Sequence, residues 1–118
     1  MSTPQEFFAG SAAGRALFEA VAETIATIGS AAMKVSKSQI AFRRRTAFAF
    51  VWRPDRYVTT DVPAVLSFGA PQELDSPRFK QVVHVAPHVW MHHIELRDAQ
   101  QVDAEVRDWL TVAFDNAG

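Results

Sequence analysis

Two groups of side chains in this 118-residue sequence have the types that chemistry needs. The first is a set of cations: Lys37, the run Arg43, Arg44 and Arg45, and Arg53. A guanidinium is always charged and offers a planar fork of N–H donors that fits phosphate or carboxylate oxygens. The second is four histidines, His84, His88, His92 and His93, with Glu95 two residues beyond. Imidazole titrates near neutral pH and ligates metals. Their spacing matches no known ligand signature, and neighbours on a strand point to opposite faces, so at most one of His92 and His93 can join His84. His93 and Glu95 share a face, which makes His84, His93 and Glu95 the set for an acid/base or metal-dependent enzyme. His92 shares the face of Trp90 and Ile94 and reads as a core-edge imidazole bonded to a backbone carbonyl. Asp75-Ser76 lies near His84 in sequence without a fixed third partner for a nucleophile. Phosphate-loop, dinucleotide, nucleophile-elbow and H-E-x-x-H motifs are missing.

The cations lie on a segment that must place them. Residues 37–57 alternate as a β-hairpin: Ile40 and Phe42 with Ala41 and Arg43, then Phe48, Phe50 and Trp52 with Ala47, Ala49 and Val51. If the large apolar residues all point inward, Phe42 faces Phe48 and Ile40 faces Phe50 across an Arg44-Arg45-Thr46 connection. The outer face then pairs Lys37 with Arg53, Gln39 with Val51, Ala41 with Ala49 and Arg43 with Ala47. Alanines would floor a shallow anion site, and Lys37, Arg43 and Arg53, with Arg44 or Arg45, would rim it. The plainer alternative is that Lys37 and Arg53 splay into water. Either way Tyr57 is left as the main exposed ring, which argues against base-specific readout.

Elsewhere the signals are local. Thr3 and Pro4 begin a helical turn bearing Phe7 and Phe8, and Ser11 caps a helix with Leu17, Phe18, Val21, Ile25 and Ile28 on one side, ended by Gly29. Ala31–Ser36 is a short strand leading into the hairpin. Ala64–Phe68, Val82–Val85 and Trp90–Leu96 follow as strands. Pro77 is placed to start a helical turn carrying Phe79. Asp98 and Gln101 form a capping-box pattern ahead of a last helix with Val102, Val106, Trp109, Leu110 and Ala113 on its apolar stripe. The expected fold is α+β: two layers, a helix, an antiparallel sheet of four to five strands, and a helix, with both helices on one face of the sheet. Residues 1–118 read as a single domain, and at 48% hydrophobic with nine Phe the chain can bury a sizeable core.

Net charge is only −1, yet residues 34–57 carry seven cations against Asp55 alone, a balance of +6, while 1–33 carry −2 and 58–118 carry −5. Such segregation suits an anionic ligand or a nucleic-acid backbone, although an overall pI near 6.4 is not that of a dedicated nucleic-acid binder. It also suits a homodimer in which the basic hairpin of one copy meets the acidic last helix of another, or neutralisation within one chain. Lack of cysteine fits a reducing cytoplasm, and no leader pattern or long apolar run points to export or a membrane. No cofactor is implied.

F-F-A-G at 7–10, K-S-Q-I-A-F at 37–42, T-A-F-A at 46–49, S-P-R-F at 76–79, H-H-I-E-L at 92–96 and V-D-A-E-V-R-D-W-L-x-x-A-F at 102–114 together resemble a bacterial and archaeal domain of unknown function, the one numbered five-six-five-five. The resemblance spans nearly the whole chain. It implies a module found alone or appended to larger proteins, some nuclease-like, with no established catalytic residues to carry over. The layout is more loosely similar to the YjbR and YdhG types, which implies an α-β-α two-layer fold and, for the YjbR type, nucleic-acid binding discussed on fold grounds alone. The combined expectation is a non-enzymatic cytoplasmic domain that binds an anionic partner through its basic hairpin: a nucleic-acid backbone, a phosphorylated small molecule or an acidic protein surface.

Overall fold

A computed structural model describes residues 3–118. The elements run α1 (Pro4–Phe7), α2 (Ala12–Ile28), β1 (Ala32–Val35), β2 (Ile40–Arg43), β3 (Ala47–Trp52), β4 (Ala64–Ala70), β5 (Gln81–Ala86), β6 (Val89–Leu96) and α3 (Ala104–Asn116), with 3-10 turns at Pro54–Arg56 and Ala99–Gln101. The fold is α+β. Among the described residues its sheet has six strands, all antiparallel, in the order β1-β2-β3-β4-β6-β5. That exceeds the four to five expected, because the short segment before the hairpin pairs fully with β2 as an edge strand.

Local chemistry sets the helix ends. Thr3 caps α1 by accepting from Glu6 N–H, and the Ser11 hydroxyl caps α2 by accepting from Gly14 N–H at 3.1 Å. Gly10 joins the two helices at φ +80°, a conformation glycine adopts without steric cost. Gly29 ends α2 where a Cβ would meet the Phe114 ring at 2.5 Å, so the residue also permits close approach of α3. Asp98 and Gln101 do form a capping box, but it closes a single 3-10 turn; Asp103 caps α3 instead, accepting from Val106 N–H at 3.1 Å. Pro77 starts a turn rather than a helix.

One cluster forms the core. Leu17, Phe18, Val21 and Ile25 of α2 and Val106, Leu110, Ala113 and Phe114 of α3 join Ile40, Phe42, Ala49, Val51, Leu66, Phe68, Ile94 and Leu96 of the sheet. All those sheet residues have one parity: Ala49 pairs with Phe68, Val51 with Leu66, and Leu66 with Ile94.

The hairpin departs from its expected register. Ile40 faces Val51, Ala41 faces Phe50 and Phe42 faces Ala49; only Arg43 keeps its expected partner, Ala47. A register shift between Phe42 and Arg43 leaves Phe48 as the extra residue of a β-bulge. Phe48 and Ala49 are consequently both buried, and the alternation of β3 reverses beyond them. Packing explains the choice. Phe48 meets Phe114 of α3 edge-on at 5.6 Å, whereas small Ala49 sits beside Phe68, whose ring is already stacked on His92 and Trp109. Phe50 and Trp52 are thereby turned to the sheet's other face, where neither belongs to the core cluster.

Candidate functional site

The second face of the sheet is read off the same register. One row across it is Lys34, Ala41, Phe50, Ser67, His93 and Gln81; a neighbouring row holds Trp52, Val65 and Glu95, and Ala32, Arg43 and Ala47 line the far side. Lys34 and Arg43 are exposed, and Phe50 and Trp52 are partly so. Tyr57, 59% exposed, stands edge-on to Trp52 with ring centroids 6.3 Å apart.

At the centre of this face a hydrogen-bonded chain runs between three strands. Trp52 Nε1–H donates to Ser67 Oγ at 3.2 Å, and Ser67 Oγ lies 2.6 Å from His93 Nδ1. The indole can only donate, so the serine oxygen accepts from it, and with Nδ1 of a neutral His93 unprotonated the serine O–H is free to donate to that nitrogen. Burial, and secondarily the neighbouring His92, hold the His93 pKa below its ordinary value, which agrees with that assignment. The pair resembles a nucleophile and its base but lacks what activates one. Ser67 is only 3% exposed beneath its neighbours, and Glu95, next along the face, is bonded to Lys80 at 2.9 Å rather than to His93. Its geometry suits holding Trp52 in place.

The remaining histidines do not converge on His93. His84 pairs with Trp90 on the opposite parity, stacked at 3.8 Å with rings 3° apart, so His84, His93 and Glu95 do not form one site. His88 is exposed at the β5–β6 turn. Among the described residues no group of three His, Cys, Asp or Glu side chains is placed to hold a metal ion. His92 is wholly buried: Leu74 N–H donates to its Nε2 at 2.9 Å, and its Nδ1 lies 2.9 Å from the Trp90 carbonyl oxygen. Both nitrogens are used only by the neutral ring with its proton on Nδ1, as the core-edge reading required, and burial pushes its pKa down.

The five cations singled out in the sequence separate into two kinds. Arg53 is structural: it donates to the carbonyls of Phe7 and Ala9 at 3.1 and 2.9 Å and binds Asp55, so it fastens α1 to the sheet. Arg44 lies 4.3 Å over the Phe114 ring and donates to the Phe114 carbonyl. Lys37, Arg43 and Arg45 remain exposed. The alanine-floored rim is therefore not formed, since Ala49 is in the core and Lys37 does not face Arg53. Sequence reasoning missed Lys34, whose place on the second face follows from pairing with Ala41. It also missed Arg56, which donates to the Lys37 and Phe7 carbonyls in a cleft of about 400 Å³ lined by Glu6, Phe7, Ser36 and Lys37. A larger hollow of about 700 Å³ along α2 has Arg15 and Glu19 as its charged groups, and these bond each other.

Beyond the Arg53–Asp55 pair, no carboxylate among the described residues forms an ion pair with the basic segment. Among the described residues the ion pairs engage Arg15, Arg53, Arg78, Lys80 and Arg97, with Arg78 taking Asp103 and Glu105 of the acidic last helix. Lys34, Lys37, Arg43, Arg44, Arg45 and Arg56 have no ion-pair partner there.

An α+β domain with one saturated core face and one partly open aromatic and basic face is the class these observations define. Residues 5–117 match the family model described as Domain of unknown function (DUF5655), and the chain belongs to that family. No curated protein and no solved structure matches it.

Proposed function

We propose that this domain binds a nucleic-acid backbone through the cations of β1, β2 and their turns, and acts in the cytoplasm as a binding module rather than as an enzyme. The observation that carries the reading is the uncompensated charge of Lys34, Lys37, Arg43 and Arg45. Lys37 lies in the turn before β2 and Arg45 in the turn after it, with Lys34 and Arg43 between them, so the cations are strung along a strand of about 10 Å and its two turns. Charges spaced along a line suit a polymer of phosphates better than a small phosphorylated ligand, which needs donors converging on one cavity. A near-neutral total charge is compatible with this, because only the local field meets the partner.

The homodimer reading, hairpin to acidic helix, has less support, since Asp103 and Glu105 already hold Arg78 of the same chain. The test is retention on immobilised heparin at low salt. Wild type should be retained, and Lys34→Ala with Arg43→Ala should elute at clearly lower salt while unfolding at the wild-type temperature. Passage of wild type in the void volume would overturn the proposal. Retention of an acidic protein but not of heparin or DNA would transfer the surface to a protein partner.

A further inference from the structure

The rings of β3 specify which nucleic acid the face would take, an inference that rests on the polyanion reading above. We infer that Phe50 and Trp52 make this face selective for single-stranded over duplex nucleic acid. Both project from the same side of the sheet, two residues apart and so roughly 6.6 Å along the strand. Both are partly exposed although they stand in the sheet's middle, and neither is part of the core cluster. Tyr57 extends the ring surface beyond Trp52.

Position relative to charge supplies the second half. In the row Lys34, Ala41, Phe50, the small Ala41 separates the lysine from the ring, and Arg43 lies two residues from Ala41 on the same strand and face. Phosphates held over β1 and β2 would put the adjoining bases above β3. Bases of a single strand can stack there, whereas a duplex hides both faces of every base in its own stack. The Trp52–Ser67–His93 hydrogen bonds fix one of the rings beforehand, which lowers the ordering cost of binding. Selectivity by stacking tolerates any base, so preference for structure rather than sequence is expected.

Fluorescence anisotropy with a short labelled oligothymidine and with a duplex of equal phosphate number tests this on the whole chain. Wild type should bind the single strand more tightly. Phe50→Leu, which keeps an apolar side chain but no ring face, should lose about tenfold on the single strand and nothing on the duplex. Phe50→Tyr should restore binding, a rescue that a merely structural role of the ring at this site would not make specific to single strands. Equal affinity of wild type for both forms, or unchanged single-strand binding in Phe50→Leu, would overturn the inference. The two failures are separable: if wild type binds neither form, the polyanion reading falls as well. If both forms bind and weaken only with Lys34→Ala and Arg43→Ala, the stacking inference alone falls.

Discussion

His92 and His93 are neighbours in sequence and opposites in situation. On one face His92 is sealed between Phe68 and Phe79, with both ring nitrogens bonded to backbone. On the other, His93 meets a serine that anchors a partly exposed tryptophan, in a row that ends at an unpaired lysine. Residue type is therefore a poor guide to a site in this protein. The cluster of histidines that looks most chemical does not converge, with His92 spent on packing and His88 exposed, and the cations that look alike divide into fasteners and free charges. What distinguishes the second face is valence left over after folding.

Breaking the core face should have the largest effect. Leu66→Ala, at a fully buried position, is expected to cost about 2–5 kcal/mol in urea unfolding. Phe50→Leu, on the opposite side of the same sheet, should cost less than about 1.5 kcal/mol. Next, Arg53→Ala should cost about 1.5–3 kcal/mol, because it strips the Ala9 carbonyl and Asp55 of their charged partner and leaves the Phe7 carbonyl with Arg56 alone. Arg43→Ala should stay within about 0.5 kcal/mol of wild type. In heparin binding the order should reverse, with Arg43 mattering more than Arg53. If Arg43→Ala proved the more destabilising of the two, the division into fasteners and free charges would be wrong.

Acidification gives a smaller and graded effect. His92 and His93 both have folded pKa values below the ordinary histidine value, so the unfolded chain takes up protons first. Stability from these groups is present above about pH 6.5 and is lost as pH falls below it, by at most about 1.4 kcal/mol per unit for each ring. Unfolding followed between pH 7.5 and 5, as design conditions of about that span, should show the loss shrink in His92→Gln. An unaltered pH dependence in that variant would remove His92 as its source.

Regular periodicity was readable and interrupted periodicity was not. The stripes of α2 and α3 and the alternation of β6 follow one rule throughout, and the core contains Leu17, Val21, Ile94 and Leu110 accordingly, beside Leu66 and Phe68 of the wholly buried β4. That reasoning also separated His92 from His93. It failed in the hairpin because parity assumes every residue of β3 alternates, and one bulge at Phe48 reverses every position after it. The cause of that bulge lies far along the chain, in Phe114, and no local pattern carries it. The same holds for Arg53, whose acceptors are carbonyls of the first helix more than forty residues away. An exposed, charge-segregated segment was legible from composition; which of its charges stay free was not.

The salt dependence of single-strand binding probes the proposed surface most directly. Each phosphate contact contributes about 0.7 to the slope of log affinity against log salt for a single strand. Removing Lys34 and Arg43 together should make that slope shallower by about 1.4, with the fold intact. An identical slope in wild type and the double variant would mean that these two cations meet no phosphate, and would contradict the account.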